Sequence, residues 1–343
     1  MPFIRCQPAR NIVYLKTHKC ASSTLYNILQ RYILKHRLNM VMSRNYDIYM
    51  GHPAYFRPSF VIDMRDYNLS NNIITDHMRF SKPEVARVMP EDSLYVTTLR
   101  KPEEAFESLF SVCDFKSRLG KDLEDFVSDE SLITSVKQHR LYSNRFGFNQ
   151  MSFDLGLGES DWDNATAVDE FVKFVGETFH LVMIADRLDE SLILFKHLTC
   201  WTTEDIVAFK VNARMDAYKV PMTQHVRERL KRLNHVDLKL YEHFSAVLDE
   251  KVRIFGEHKM AQEVRELRTL REKYHDLCVE AEVGMRNITK KGGHYKALGF
   301  KLKDHSETCS HMAMTGMQLR ELIRDRQKAL IRGTVRTQVA MLT

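Results

Sequence analysis

The sequence predicts an α/β fold, with a central, mainly parallel sheet flanked by helices and a helical C-terminal part. Three observations carry this. Short apolar runs with β-branched residues recur through the N-terminal two thirds of the chain, and stretches of helical spacing alternate with them. After about Met222 the pattern turns helical. The spacing contains no internal repeat and no low-complexity tract. We read residues 1–343 as a single domain, with 11–220 as an α/β core and 221–343 as a mostly helical extension.

Asn11–Leu15 reads as a buried strand, Lys16–Cys20 as a polar loop, and Ser22, Ser23 and Thr24 as helix openers. Leu25, Ile28, Leu29, Tyr32 and Ile33 then repeat at helical spacing. A second strand at Asn72–Thr75 leads into Asp76-His77-Met78-Arg79-Phe80. A third, Ser93–Leu99, runs into Arg100-Lys101-Pro102 and a helix whose Phe106, Leu109 and Phe110 share a face; proline suits the first turn of that helix. His180–Ala185 is a fourth strand, followed by a helix through Leu188–Leu198. Arg227–Asn234 and Leu238–Tyr274 are charge-rich helices, the latter packed on its own domain rather than forming a coiled coil. Residues 284–312, with Gly292-Gly293, read as a loop-rich connection, and Leu319–Ile331 as a last amphipathic helix. Its Arg320, Arg324, Lys328 and Arg332 recur every four residues, either as a solvated face or as a basic face for a membrane surface.

The 343 residues are 44% apolar with a net charge of +6, so the chain can build a core and suits an anionic ligand. No nucleic-acid motif is present. The six cysteines form no Cys-x-x-Cys pair and no zinc spacing; disulfides and buried thiols both stay open. Sequons at Asn68, Asn164 and Asn287 are compatible with a secretory compartment. No apolar run approaches the roughly 20 residues of a membrane span, and no signal-peptide h-region occurs, so the residues alone read as soluble and cytosolic. Trp162 and Trp201 read as core residues.

Lys16-Thr17-His18-Lys19-Cys20-Ala21-Ser22-Ser23-Thr24 follows a strand and opens a helix. A helix N-terminus offers unpaired N–H groups and the positive end of its dipole. Three hydroxyls, Lys16, Lys19 and His18 add to that preference for an anion. A well-capped helix with solvated lysines is the plainer alternative. The segment contains no glycine, so it is not a Walker A loop, and a magnesium-dependent P-loop kinase is disfavoured. Arg100 ends the third strand, and Ser108 lies about two helical turns further on; both suit a second phosphate.

These segments resemble the galactose-3-O-sulfotransferase family. The resemblance runs through NIVYLKTHKCASSTLYNIL at 11–29, KHRL at 35–38, NIITDHMRF at 72–80, VTTLRKPEEAFESLF at 96–110, FHLVMIADRLDESLIL at 179–194 and FKVNAR at 209–214. It implies a P-loop-like sulfotransferase fold, with 11–220 as the nucleotide-binding core. The implied donor is 3′-phosphoadenosine-5′-phosphosulfate, and no metal. It also implies that Lys16, Thr17, Lys19, Cys20, Ala21, Ser22, Ser23 and Thr24 hold the 5′-phosphosulfate, and that Arg100 and Ser108 hold the 3′-phosphate. Lys19 would face the bridging and leaving oxygens, with Lys16 and His18 assisting. His77, in the family's His-Met-Arg-Phe segment, is the expected base, His18 the alternative and His36 a weaker third. Asn212 and Arg214 are expected at the nucleotide, at the acceptor or in a turn, and Arg79 in a structural role.

The family usually has Thr at Cys20 and Asp at Lys101. Its members are type II Golgi membrane proteins, so the resemblance implies a lumenal site and an N-terminus that this chain lacks. The implied partner is a galactosylated glycolipid or glycan; which one, and the oligomeric state, stay open. A catalytically inactive relative that binds a partner is the non-enzymatic alternative.

Overall fold

A computed structural model describes residues 6–211, 221–288 and 294–340. Asn212 and Arg214 lie outside the described residues. Six strands form the central sheet: β1 (Ile12–Leu15), β2 (Met40–Ser43), β3 (Val61–Ile62), β4 (Ile73–Ile74), β5 (Leu94–Leu99) and β6 (Leu181–Ile184), in the order β3-β2-β4-β1-β5-β6. All neighbours are parallel except β2 and β3. The expected α/β architecture is therefore present.

β1 lies between β4 and β5, with Ile12 opposite Ile73 on one side and Leu94 on the other. All its residues are fully buried, which is why it reads as a continuous apolar run rather than an alternating one. In a parallel sheet the carboxyl ends share one edge. The segments after β1, β4, β5 and β6 begin there, and Lys16, His77, Arg100 and Ala185 all line one cleft.

Three sequence expectations change. β2 and β3 were not anticipated; both are too short to show a period, and β3 sits at the antiparallel edge. Leu238–Tyr274 is not one helix: His235–Phe255 and Glu257–Cys278 are separated by Gly256, whose φ of 98° is closed to most L-residues. The described residues of 284–312 are not loop-rich. They carry most of an antiparallel hairpin, β7 (Val279–Ile288) and β8 (His294–Leu302), and then the helix Glu307–Ala313. Cys278 and Cys309 are disulfide-bonded at its base, and Cys6 is bonded to Cys200; Cys20 and Cys113 are free thiols.

The C-terminal helix, Gly316–Ala340, packs on the helix Ser22–Lys35. The Gln327 amide bonds both the N–H and the C=O of Met40, each at 2.9 Å. Leu319 and Ile323 are buried, but Leu322 and Leu330 are exposed. The four basic residues do not form one solvated face. Arg320 is buried on Asp76, and Lys328 sits over the Tyr46 ring, 4.2 Å from its centroid. Trp201 stacks on Tyr32 in the core. Among the described residues, no helix is long and apolar enough to cross a membrane.

Candidate active site

The loop after β1 makes its turn without glycine by placing Lys19 (φ 63°) and Ala21 (φ 53°) in the left-handed region. Each such residue costs on the order of 1–2 kcal/mol, a strain that the packing around Thr17 and Cys20 holds in place. Thr17 donates its hydroxyl to the Thr98 carbonyl at 2.5 Å, and Cys20 donates its thiol to the His18 carbonyl at 3.3 Å. Both side chains are fully buried and point away from the cleft, so only their backbone can serve a ligand there. Burial pushes the Cys20 thiol up to about 12, so it stays protonated. Ala21 caps the Ser22–Lys35 helix with no side-chain acceptor, and Ser22, Ser23 and Thr24 line the cleft at its first turn.

The cleft holds about 1370 Å³. Lys16, His18, Lys19, Arg100, Ser108 and His77 all line it. The two separate sequence segments, the loop and the Arg100…Ser108 pair, thus meet at one site. Arg100 donates Nη2 to Glu104 at 2.9 Å and Nη1 to the Lys19 carbonyl at 3.3 Å, so the second segment also braces the turn of the first. His36 is not there. It follows the last residue of the Ser22–Lys35 helix, roughly 20 Å along the axis from the loop, and its ring lies tilted against that of Tyr32, with 4.1 Å between centroids. Arg79 is structural: its guanidinium lies between the rings of Tyr55 and Phe153 and donates to the Leu157 carbonyl at 3.0 Å.

The two remaining histidines stack face to face, with 4.0 Å between ring centroids and 7° between planes. His77 Nδ1 lies 2.9 Å from the Lys16 carbonyl, which can only accept, so Nδ1 carries the proton. Its Nε2 therefore accepts from Lys16 Nζ, also at 2.9 Å. Burial, with the charges of His18 and Lys16, holds His77 well below the usual imidazole range. Burial also lowers Lys16 to about 8, with Asp76 opposing.

His18 has a different partner. Asp154 Oδ2 accepts from its Nδ1 at 2.7 Å and from its backbone N–H at 2.8 Å, while its buried Nε2 has no hydrogen-bond partner among the described residues. Asp154 Oδ1 accepts from His52 Nε2 at 3.2 Å and from Gln150 Nε2 at 2.9 Å. Sequence reading missed Asp154, His52 and Gln150. They lie far from the loop in the chain, and no local spacing marks them.

The galactose-3-O-sulfotransferase family profile matches residues 1–325. The chain belongs to this family. Human galactosylceramide sulfotransferase is 37% identical over 281 residues, covering 80% of this chain and 65% of the human protein. The mouse galactosylceramide sulfotransferase is 34% identical over 333 residues, covering 91% and 78%. Mouse galactose-3-O-sulfotransferase 2 is 31% identical over 334 residues, covering 91% and 84%. The chain thus spans just under two thirds of the human relative's length.

The carboxylate hub of this family member rests on a reciprocal cap. Asp237 accepts from the N–H groups of Met151 and Ser152, at 3.0 and 2.8 Å, and so caps the short helix that ends in Asp154. Asn149 accepts in return from the N–H groups of Val236 and Asp237, at 3.2 and 3.3 Å. Beyond Asp154, Gly156 has φ 102°, and a Cβ there would lie 2.6 Å from the Phe80 carbonyl. That close approach ties the strand-end segment of His77 to the segment of Asp154.

One ring nitrogen each of His18 and His52 and an Asp154 oxygen all lie within 4.8 Å of one another, a donor set of a kind that can hold a metal ion. Each Asp154 oxygen already accepts two N–H groups, which accounts for the whole cluster as a hydrogen-bond network.

These buried groups set a pH dependence. Burial lowers His18 to about 4 and also lowers His77, His36 and His311. The unfolded chain protonates these histidines near 6.5, so below that pH it binds more protons and stability falls. Burial raises Asp237 to about 6 and raises Asp76, which acts in the opposite sense but with fewer groups. Denaturant midpoints should therefore decline as pH falls from about 6.5 towards 4. A flat profile over that interval would contradict the buried, neutral histidines.

Proposed function

We propose that this chain is a carbohydrate sulfotransferase of P-loop-like fold. It moves a sulfuryl group from 3′-phosphoadenosine-5′-phosphosulfate to the 3-hydroxyl of a β-galactose, on a glycolipid of the galactosylceramide type or on a glycan. The observation that carries this reading is the convergence of Lys16–Thr24 with Arg100 and Ser108 on one cleft, in a chain that belongs to the family. The names of the relatives, galactosylceramide sulfotransferase and galactose-3-O-sulfotransferase 2, favour galactose as the acceptor sugar. Residues 1–343 act as one domain, supported by a continuous core from β1 to Ile323. The two disulfides favour an oxidising, secretory compartment such as the Golgi lumen.

In this reading Ser22, Ser23, Thr24 and the backbone around Ala21 hold the 5′-phosphate, and Arg100 and Ser108 hold the 3′-phosphate. Lys19 and Lys16 neutralise the leaving phosphate. The acceptor oxygen attacks sulfur in line, the S–O bond to the phosphate breaks, and the hydroxyl proton passes to a base. His18 suits that role better than His77. Among the described residues nothing engages its Nε2 lone pair, whereas that of His77 is engaged by Lys16. No step calls for a metal.

The test is calorimetry with 3′-phosphoadenosine 5′-phosphate, followed by transfer of labelled sulfate to a panel of β-galactosides. Arg100→Ala should weaken nucleotide binding by about 10–100-fold, the loss of charge-assisted hydrogen bonds. Tight binding of magnesium ATP, with no binding of the phosphoadenosine ligand, would overturn the reading.

A further inference from the structure

Asp154 is fully buried and accepts four N–H groups, two of them from His18. The chain of donors behind it is also fixed. Gln150 Oε1 accepts from Arg140 Nη2 at 2.5 Å and from the Gly147 N–H at 3.1 Å, so the Gln150 amide must present its NH₂ to Asp154. Arg140 is itself held by the Phe148 carbonyl at 2.8 Å and lies over the Phe153 ring. Nothing in this network can donate a proton to the Nδ1 of His18. That nitrogen must carry the hydrogen, and Nε2 must carry the lone pair. Nε2 is buried, has no partner among the described residues, and belongs to a side chain that lines the cleft.

We propose that Asp154, supported by Gln150 and Arg140, is a positioning residue for sulfuryl transfer: it locks His18 in the Nδ1–H tautomer and stabilises the imidazolium that forms when Nε2 takes the acceptor's proton. This rests on the sulfotransferase reading given above. As the acceptor oxygen bonds to sulfur and the bridging S–O bond breaks, the acceptor hydroxyl becomes strongly acidic. Its proton moves to His18 Nε2, and the electron pair of the broken bond leaves on the 5′-phosphate. A weakly basic imidazole is sufficient for so late a transfer, and the adjacent carboxylate offsets the new positive charge. Among the described residues, the titratable and charged groups around the His18 ring are Asp154, His52, His77, Lys16 and Tyr49, and the Phe146 ring packs edge-on against it. Of these, Asp154 is the one that carries a compensating negative charge.

Asp154→Asn is the direct test. An asparagine that keeps its oxygen on the His18 backbone N–H no longer offers a full charge, and in the flipped pose its amide donor forces the wrong tautomer. We expect kcat to fall by about 10³-fold or more, with KM for the acceptor and affinity for 3′-phosphoadenosine 5′-phosphate within a few-fold of wild type. The independent readout is the ¹⁵N NMR signature of His18, assigned through His18→Gln. The wild-type chain should show protonated Nδ1 and bare Nε2 near pH 7, and Asp154→Asn should lose that pattern. Gln150→Met, which removes one donor from Asp154 and leaves His18 bonded, should lower kcat only several-fold.

A wild-type kcat in folded Asp154→Asn overturns the proposal. So does a protonated Nε2 in the wild-type spectrum, which can be read even if the variant does not fold. Failure of the sulfotransferase reading looks different: the wild-type protein itself would neither bind the phosphoadenosine ligand nor transfer sulfate, whatever the tautomer of His18.

Discussion

Lys19→Ala should lower kcat for sulfuryl transfer by about 10²–10³-fold, the usual loss when one preorganised charge is removed from a transition state. Nucleotide affinity should fall much less. The reason lies in how the loop divides its lysines. Lys16 is buried, and its ammonium is committed to His77 Nε2 at 2.9 Å, so its removal would disturb the histidine pair as well as the charge. Lys19 is partly exposed, lines the cleft and stands on a left-handed backbone position that alanine and lysine occupy at similar cost. Its carbonyl, not its side chain, receives Arg100 Nη1, and that contact survives the substitution. In the proposed reading the change removes a cation beside the leaving phosphate while keeping the backbone contact to Arg100. Steady-state kinetics decide it: a fall in kcat with little change in KM is expected, and Lys19→Arg should restore part of the rate. An unchanged kcat in Lys19→Ala would remove this residue from the transition state.

Much of the fold was legible because burial on both faces makes a parallel strand a simple signal. Ile12–Leu15 is apolar throughout, Leu94–Leu99 is leucine, aromatic or β-branched at every position, and their loops carry the Lys-Thr-His-Lys and Arg-Lys-Pro segments that open helices. Met40–Ser43 gives no such signal. Four residues cannot establish a period, and methionine has little strand preference. The β7–β8 hairpin was obscured because its residues are mixed in charge and size, and strand pairing rather than composition defines it. Within the site, the cleft-lining residues of the Lys16–Thr24 loop are local in sequence and so were visible. Asp154 was not: the sequence shows only one more aspartate, between Phe153 and Leu155, with no motif around it. Its significance comes from the Asp237 cap and from the Gly156 approach to Phe80, both of them long-range contacts. The basic repeat of the last helix misled for the same reason. Helical spacing places Arg320 with Arg324 and Lys328, but it cannot reveal that a buried aspartate waits opposite the first of them.

That aspartate makes Arg320→Leu the substitution with the largest expected effect on stability, about 3–5 kcal/mol. Asp76 is fully buried at the end of the β4 segment, next to His77. Its Oδ2 accepts from Arg320 Nε and Nη2 at 2.9 and 2.8 Å, and its Oδ1 from the Tyr26 hydroxyl at 2.6 Å. Arg320 also donates to the carbonyls of Tyr46 and Asp47, at 2.9 and 3.0 Å. One guanidinium thus ties the C-terminal helix to the β2–β3 connection and to the site. A leucine of similar bulk fills the space but leaves a buried carboxylate without its cation, which is why the cost exceeds that of a lost contact. Burial already pushes Asp76 up despite the arginine, so without it the carboxyl must take up a proton or draw the nearest cation. Lys16, whose charge Asp76 already supports, is that cation. Arg320→Leu should therefore weaken 3′-phosphoadenosine 5′-phosphate binding as well as lower the urea midpoint, although no ligand touches residue 320. Adding Asp76→Asn should recover part of the stability, because it removes the stranded charge. Arg324→Leu, one turn further along the same face, should leave the midpoint where it is. Equal effects at 320 and 324 would mean that general helix packing, not the buried ion pair, holds this end of the chain against the site.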